Sequence, residues 1–183
     1  LQHDHENGLD LVNVSTVPPL FAASIFGHAH VVRMLLSQDC NTGAPFVNRP
    51  NPTNNMTPLV AASVHGHEEI ALMLLDQREI DLHAQCTDVD EGKKLTALIA
   101  ASKIGNKPIV ERILMLAETI SHESDLFKAK DYKGRNALTA LIRANQKKKY
   151  FPLVKATTIE SKGSEPDYRA VEIMLKEAQA KTK

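Results

Sequence analysis

Four phrases recur at a nearly fixed interval: "PPLFAASIFGH" from Pro18, "TPLVAASVHGH" from Thr57, "TALIAASKIGN" from Thr96 and "NALTALIRANQ" from Asn136. They start 39, 39 and 40 residues apart. Repetition at a period of a few tens of residues constrains a chain more than any composition does. Each copy must be one supersecondary unit that buries its apolar face against its neighbours.

The residues inside each phrase say what that unit is. After the first three copies come "HVVRMLLSQ", "EIALMLLDQ" and "PIVERILML". Val31 and Leu35, Ile70 and Leu74, and Ile109 and Ile113 lie at i, i+4 spacing, on one helix face. Each unit therefore reads as a short helix, a sharp turn, a longer antiparallel helix and an extended return. The short helix is built on Ala-Ala-Ser at 22–24, 61–63 and 100–102, small enough to let neighbouring helices approach closely. Gly27, Gly66 and Gly105 suit the left-handed turn that ends a helix, and Asn145 takes that slot in the fourth copy. Thr57 and Pro58 are good helix-starting residues. In the fourth unit the second helix, "DYRAVEIMLKEAQ", comes late.

These residues resemble the ankyrin repeat, whose units carry a Thr-Pro-Leu-His start and a Gly-His turn. "TPLVAASVHGHEEIALMLL" is the strongest match, and "LFKAKDYKGRNAL" at 126–138 is similar to the family's hairpin. The resemblance implies an all-α ankyrin solenoid of about four helix-turn-helix units with long hairpin connections. Its expected divisions are 18–56, 57–95, 96–135 and 136–183, preceded at 1–17 by a cap or the remnant of another unit. The last unit would hold an insert at about 147–165 and a C-terminal capping helix with Glu172, Lys176 and Glu177 on its polar face. The units are longer than the family's usual ~33 residues. The family's His after Pro-Leu is replaced by Phe21, Val60, Ile99 and Thr139, so another contact must order the loops.

Composition narrows the function. The 183 residues include no apolar run near the ~20 residues of a membrane span, and they show no basic-then-apolar pattern of a signal segment. The chain opens on Leu1 and reads as a piece of something longer. Cys40 and Cys86 fit no metal or redox spacing and read as reduced thiols. The His-x-His pairs at 3–5, 28–30 and 65–67 suggest metal, but His28 and His67 belong to the Gly-His turns, so no metal or cofactor is expected. No phosphate loop, nucleophile elbow or HExxH pattern is present, so no catalysis is expected. The net charge is zero, yet residues 1–92 carry 3 Lys/Arg and 12 Asp/Glu while residues 93–183 carry 19 and 10. An elongated stack would have an acidic end and a basic end.

The resemblance places function on the concave face, at the residues just before each turn and at the hairpin tips. The expected partner contacts are Ile25, Phe26, Val64, His65, Lys103, Ile104 and Arg143 beside the turns, with Met56, Leu95, Tyr132 and Arg135 on the tips. Lys147, Lys148, Lys149, Tyr150 and Phe151 combine a basic run with aromatics, a second candidate surface. The family also implies a modification. Its hairpin asparagines are hydroxylated where a Leu lies eight residues earlier and an acid two earlier. Leu75, Asp81 and His83 keep that spacing with His as target, and Asn48 sits at the related position without the Leu, which marks His83 and Asn48.

The expected function is a monomeric, cytoplasmic, non-enzymatic scaffold binding a partner protein. Its long loops and inserted segment resemble ankyrin proteins that intracellular bacteria deliver into host cells, which would place it in the host cytosol. The ankyrin region of a eukaryotic channel is the other source considered. Two alternatives stand beside the scaffold: binding of nucleic acid or lipid headgroups through the basic half, and targeting of a larger enzyme. Nucleic acid is the less expected partner.

Overall fold

The computed structural model describes residues 17–37, 46–87, 94–119, 123–131, 133–150 and 167–181. Helices dominate: α1 (Pro19–Ile25), α2 (Ala29–Ser37), α3 (Pro58–His65), α4 (Glu68–Leu75), α5 (Ala97–Ile104), α6 (Lys107–Ala117), α7 (Glu123–Lys128), α8 (Ala137–Tyr150) and α9 (Tyr168–Lys181). The only sheet among the described residues is a two-residue antiparallel ladder, β1 (Cys86–Thr87) with β2 (Lys94–Leu95). A 3-10 turn covers Phe46–Asn48.

Helices pair within each unit, α1 with α2, α3 with α4, α5 with α6 and α8 with α9. Between units, α1, α3, α5 and α8 form one row, and α2, α4, α6 and α9 form a second. The fold is an all-α repeat solenoid, with the core between the rows.

Local chemistry explains each helix. The Thr57, Thr96, Asn106, Asn136 and Asp167 side chains each accept a hydrogen bond from the backbone N–H three residues on, at 3.0–3.4 Å. Each satisfies a donor that the first helical turn leaves orphaned. Gly27, Gly66 and Gly105 have φ of 77°, 73° and 72°. The residue after each returns an N–H to the carbonyl five back: His28 to Ala23, His67 to Ala62 and Asn106 to Ala101. This closes each helix end in the left-handed cap. The Ala-Ala-Ser triplets pack as their size suggests: Ala61, Ala62 and Ala101 are fully enclosed. The buried hydroxyls of Ser24, Ser63 and Ser102 donate to the carbonyls of Leu20, Leu59 and Leu98, which leaves no buried polar atom unmet there.

Each turn is also filled by the following unit. A Cβ built on Gly27 would lie 2.7 Å from the His67 ring, and one on Gly105 would lie 2.9 Å from the Tyr168 ring. The Ile104 side chain covers Gly66 more loosely, 3.4 Å from where a Cβ would lie. His67 Nε2 donates to Ile25 O at 3.1 Å, and Asp167 N donates to Gly105 O at 2.9 Å. The last contact seats α9 on the third unit's turn, so the late helix occupies the position its pattern suggests.

The missing family His is replaced by amides. Asn48 accepts from Asp81 N at 2.9 Å and donates to Glu79 O, tying one hairpin arm to the next. Asn55, the only non-glycine with positive φ among the described residues, donates to Gln85 O. Asn48→Ala is expected to cost about 1–2 kcal/mol through these two hydrogen bonds, read as a shifted urea midpoint with unchanged slope. The outer row adds Arg33–Glu69, Arg112–Asp76 and Lys181–Glu118 across successive units at 2.6–2.7 Å. These pairs are exposed, and Arg33→Ala is expected to change stability by less than about 1 kcal/mol.

Three expectations are corrected. Asn145 does not end its helix: α8 continues through it to Tyr150. No glycine follows, and Gln146 and Lys147–Lys149 are good helix formers, so nothing stops propagation. Residues 147–150 therefore form the end of a helix rather than the start of a loop. Leu95 is core, at 6% exposure, because strand pairing with Cys86 turns it inward. Residues 126–128 belong to α7, with Leu126 and Phe127 buried, where an extended hairpin arm was expected.

Candidate binding surface

The residues flanking the turns divide into exposed and packed groups. Phe26 is 72% exposed, one residue past the end of α1. Its ring lies 6.3 Å from that of His28, which lies 6.5 Å from His30. His65 and Arg143 are exposed, while Lys103 and Ile104 are half-buried. Ile25 is half-buried and its carbonyl receives the His67 proton. Val64 and Met56 are half-buried and lean on the core.

His65 stacks on His67 with centroids 6.0 Å apart and planes at 16°. Partial desolvation of the ring, and secondarily the neighbouring His67, holds the His65 pKa below its ordinary 6.5. A depressed histidine favours the neutral folded state. Its contribution is present above pH 6.5 and is lost as pH falls from there through the folded value. His65→Gln is expected to flatten this part of the pH–stability curve in thermal melts.

Arg135 is committed within its hairpin. Asp131 has a fully enclosed carboxylate that accepts from Arg135 Nε at 2.8 Å, from the Arg135 N–H at 3.0 Å and from the Lys133 N–H at 2.9 Å. Asp131 N donates back to Arg135 O at 2.8 Å, and Gly134 takes the left-handed position between them. Arg135 thus serves the turn first.

Tyr132 and Phe151 lie outside the described residues, as do the side chains of Lys147, Lys148, Lys149 and Tyr150. Asn48 is half-buried with its amide engaged at both ends, whereas His83 is exposed. Among the described residues no group of three or more His, Cys, Asp or Glu could hold a metal ion, and no helix is long and apolar enough to cross a membrane. Cys86 is a buried thiol, and Cys40 lies outside the described residues.

Sequence reasoning missed His67 as the latch between the first two units, Asp131 as the hub of its turn, and Tyr168 as the cover over Gly105. The Asp131 signal was present: an acid followed three and four residues later by Gly and Arg is a self-satisfying turn. The other two depend on contacts across units.

Paired helices joined by left-handed turns and stacked in two rows define a helical repeat solenoid. Residues 2–86 match the family model for ankyrin repeats, in three copies. Residues 2–86 thus carry ankyrin repeats, and the helices beyond residue 86 continue the same caps, turns and rows. No curated protein matches the chain. Ankyrin repeats are a protein-interaction fold, typically without catalysis of their own.

Proposed function

We propose that this chain is a binding scaffold that docks a partner protein across the inner helix row and the adjoining hairpins. The supporting observation is Phe26, a large aromatic side chain 72% exposed beside the first turn. Elsewhere on the inner helices the described Leu, Ile, Val and Phe side chains are buried or half-buried. An exposed aromatic next to Ile25, in a row of helix ends that continues with His65 on α3 and Ile104 on α5, is the kind of anchor that dominates interface energetics. The reading takes 18–56, 57–95, 96–135 and 136–183 as the stacked units, with 1–17 as a cap or the remnant of a preceding repeat. It takes the scaffold as a cytoplasmic monomer, in the host cytosol if a bacterium delivers it. His83 is the more accessible of the two hydroxylation candidates, since the Asn48 amide is engaged.

The test is affinity capture from eukaryotic cytosolic lysate, with the wild type beside Phe26→Asp. Phe26 is exposed, so the variant is expected to melt within about 0.5 kcal/mol of wild type, checked by circular dichroism. A protein captured by the wild type and lost with the variant supports the reading. Capture that survives the substitution moves the site elsewhere on the chain.

A further inference from the structure

The four inner helices contain no Asp or Glu. The outer row holds Glu68, Glu69, Glu111, Glu172 and Glu177. The inner row is also graded. It runs from the uncharged α1, with Phe26 at its end, to His65 on α3, Lys103 on α5, and Arg143 with a further lysine run on α8. The chain follows the same polarity: residues 1–92 carry 12 of the 22 Asp/Glu and only 3 of the 22 Lys/Arg. Among the described residues, the first two units carry Glu68, Glu69, Asp76, Glu79 and Asp81 against Arg33, Arg49, Arg78 and Lys94. A carboxylate approaching the last two meets cations and no acid on the inner helices.

We infer, building on the scaffold reading, that the partner segment is itself polarised, with an apolar or aromatic end seated on Phe26 and an acidic end lying against α5 and α8. The length follows from the stacking. Neighbouring helices lie about 8–10 Å apart, so the row spans roughly 25–30 Å. An extended strand at about 3.3 Å per residue covers that in about eight or nine residues. Complementary charge of this kind fixes direction and register on the groove, while the buried aromatic anchor supplies most of the affinity.

The experiment is selection of random 12-residue peptides displayed on phage against the whole chain. The enriched peptides are then synthesised and measured by fluorescence anisotropy at low and moderate salt. The expected consensus joins an apolar or aromatic pair at one end to a run of Asp/Glu at the other. Its dissociation constant should rise at least about tenfold with Arg143→Glu and at least about tenfold with Phe26→Asp. Replacing the peptide's acids with lysine should abolish binding. A neutral or basic consensus that still requires Phe26 overturns this inference and leaves the scaffold reading intact. A consensus indifferent to both substitutions, or no enrichment, overturns both. A single-stranded oligonucleotide that competes for Arg143 and binds more tightly than any selected peptide assigns the cations to nucleic acid and also overturns it.

Discussion

Arg135→Ala is expected to destabilise the hairpin that joins the third and fourth units by about 3 kcal/mol, more than the substitution of an exposed residue would. The reason is the partner it leaves behind. The Asp131 carboxylate has no exposed surface, and the Arg135 side chain supplies it with two contacts at 2.6–2.8 Å. Removing one member of such a pair strands a buried charge, which costs about 3–5 kcal/mol in enclosed sites. Two backbone donors remain on Asp131, so the lower end applies. Asp131→Asn is expected to cost less, about 1–2 kcal/mol, since an amide keeps an acceptor and carries no charge. The order of the two losses in urea unfolding is the check. Equal losses would mean that only the hairpin hydrogen bonds matter.

The same site gives a pH dependence with a definite sign. Burial alone would raise the Asp131 pKa, but the Arg135 side-chain bond, the Arg135 and Lys133 backbone bonds and the Arg135 charge together hold it below 3.8. The folded state therefore binds this proton less readily than the unfolded state does. The stabilisation is complete above the ordinary carboxylate range and is lost as pH falls from about 4 through the depressed folded value. Asp131→Asn is expected to remove this component of the acid limb in pH-dependent melts, and Arg135→Ala to shrink it.

The second large effect is at Gly105. Gly105→Ala is expected to cost about 2–3 kcal/mol, because two penalties combine there. A φ of 72° costs an L residue roughly 1–2 kcal/mol, and the added methyl would lie 2.9 Å from the Tyr168 ring. Gly134 separates the two terms. Its φ is 70°, but nothing lies within 4 Å of the position a Cβ would take. Gly134→Ala should thus show the backbone penalty alone, about 1 kcal/mol. If the variants melt together, Tyr168 yields without cost, and α9 is held less firmly than the Asp167–Gly105 hydrogen bond implies.

Much of this fold was legible because its determinants are local. A capping side chain three residues ahead of its N–H, a glycine where φ turns positive and apolar residues at helical spacing are all written in neighbouring positions. Even α9, displaced by a long segment, declared itself through Asp167 and the spacing of Val171, Leu175 and Ala178, all three buried. The failures were non-local or came from missing stop signals. Leu95 is indistinguishable from an exposed hairpin residue until Cys86 pairs with it. Asn145 offers a turn only if the next residues decline the helix, and lysines do not. Among the candidate contacts, Phe26, His65 and Arg143 are exposed as expected, since their places beside the turns follow from the repeat. Arg135 was misjudged because its chemistry was read outward, when an acid four residues earlier claims it.

The contacts at Gly27, Gly66 and Gly105 give the stack a direction. Each turn is a socket, and the plug comes from the unit that follows: His67, Ile104 and Tyr168. The three plugs differ in chemistry, so the junctions are not interchangeable even though the helices nearly are. A unit moved along this chain, or borrowed from another, would carry its own socket and arrive with the wrong plug for the one ahead. The order of the units is thus encoded in one side chain per junction. Exchanging His67 and Ile104 alone would test whether order can be rewritten without touching the helices.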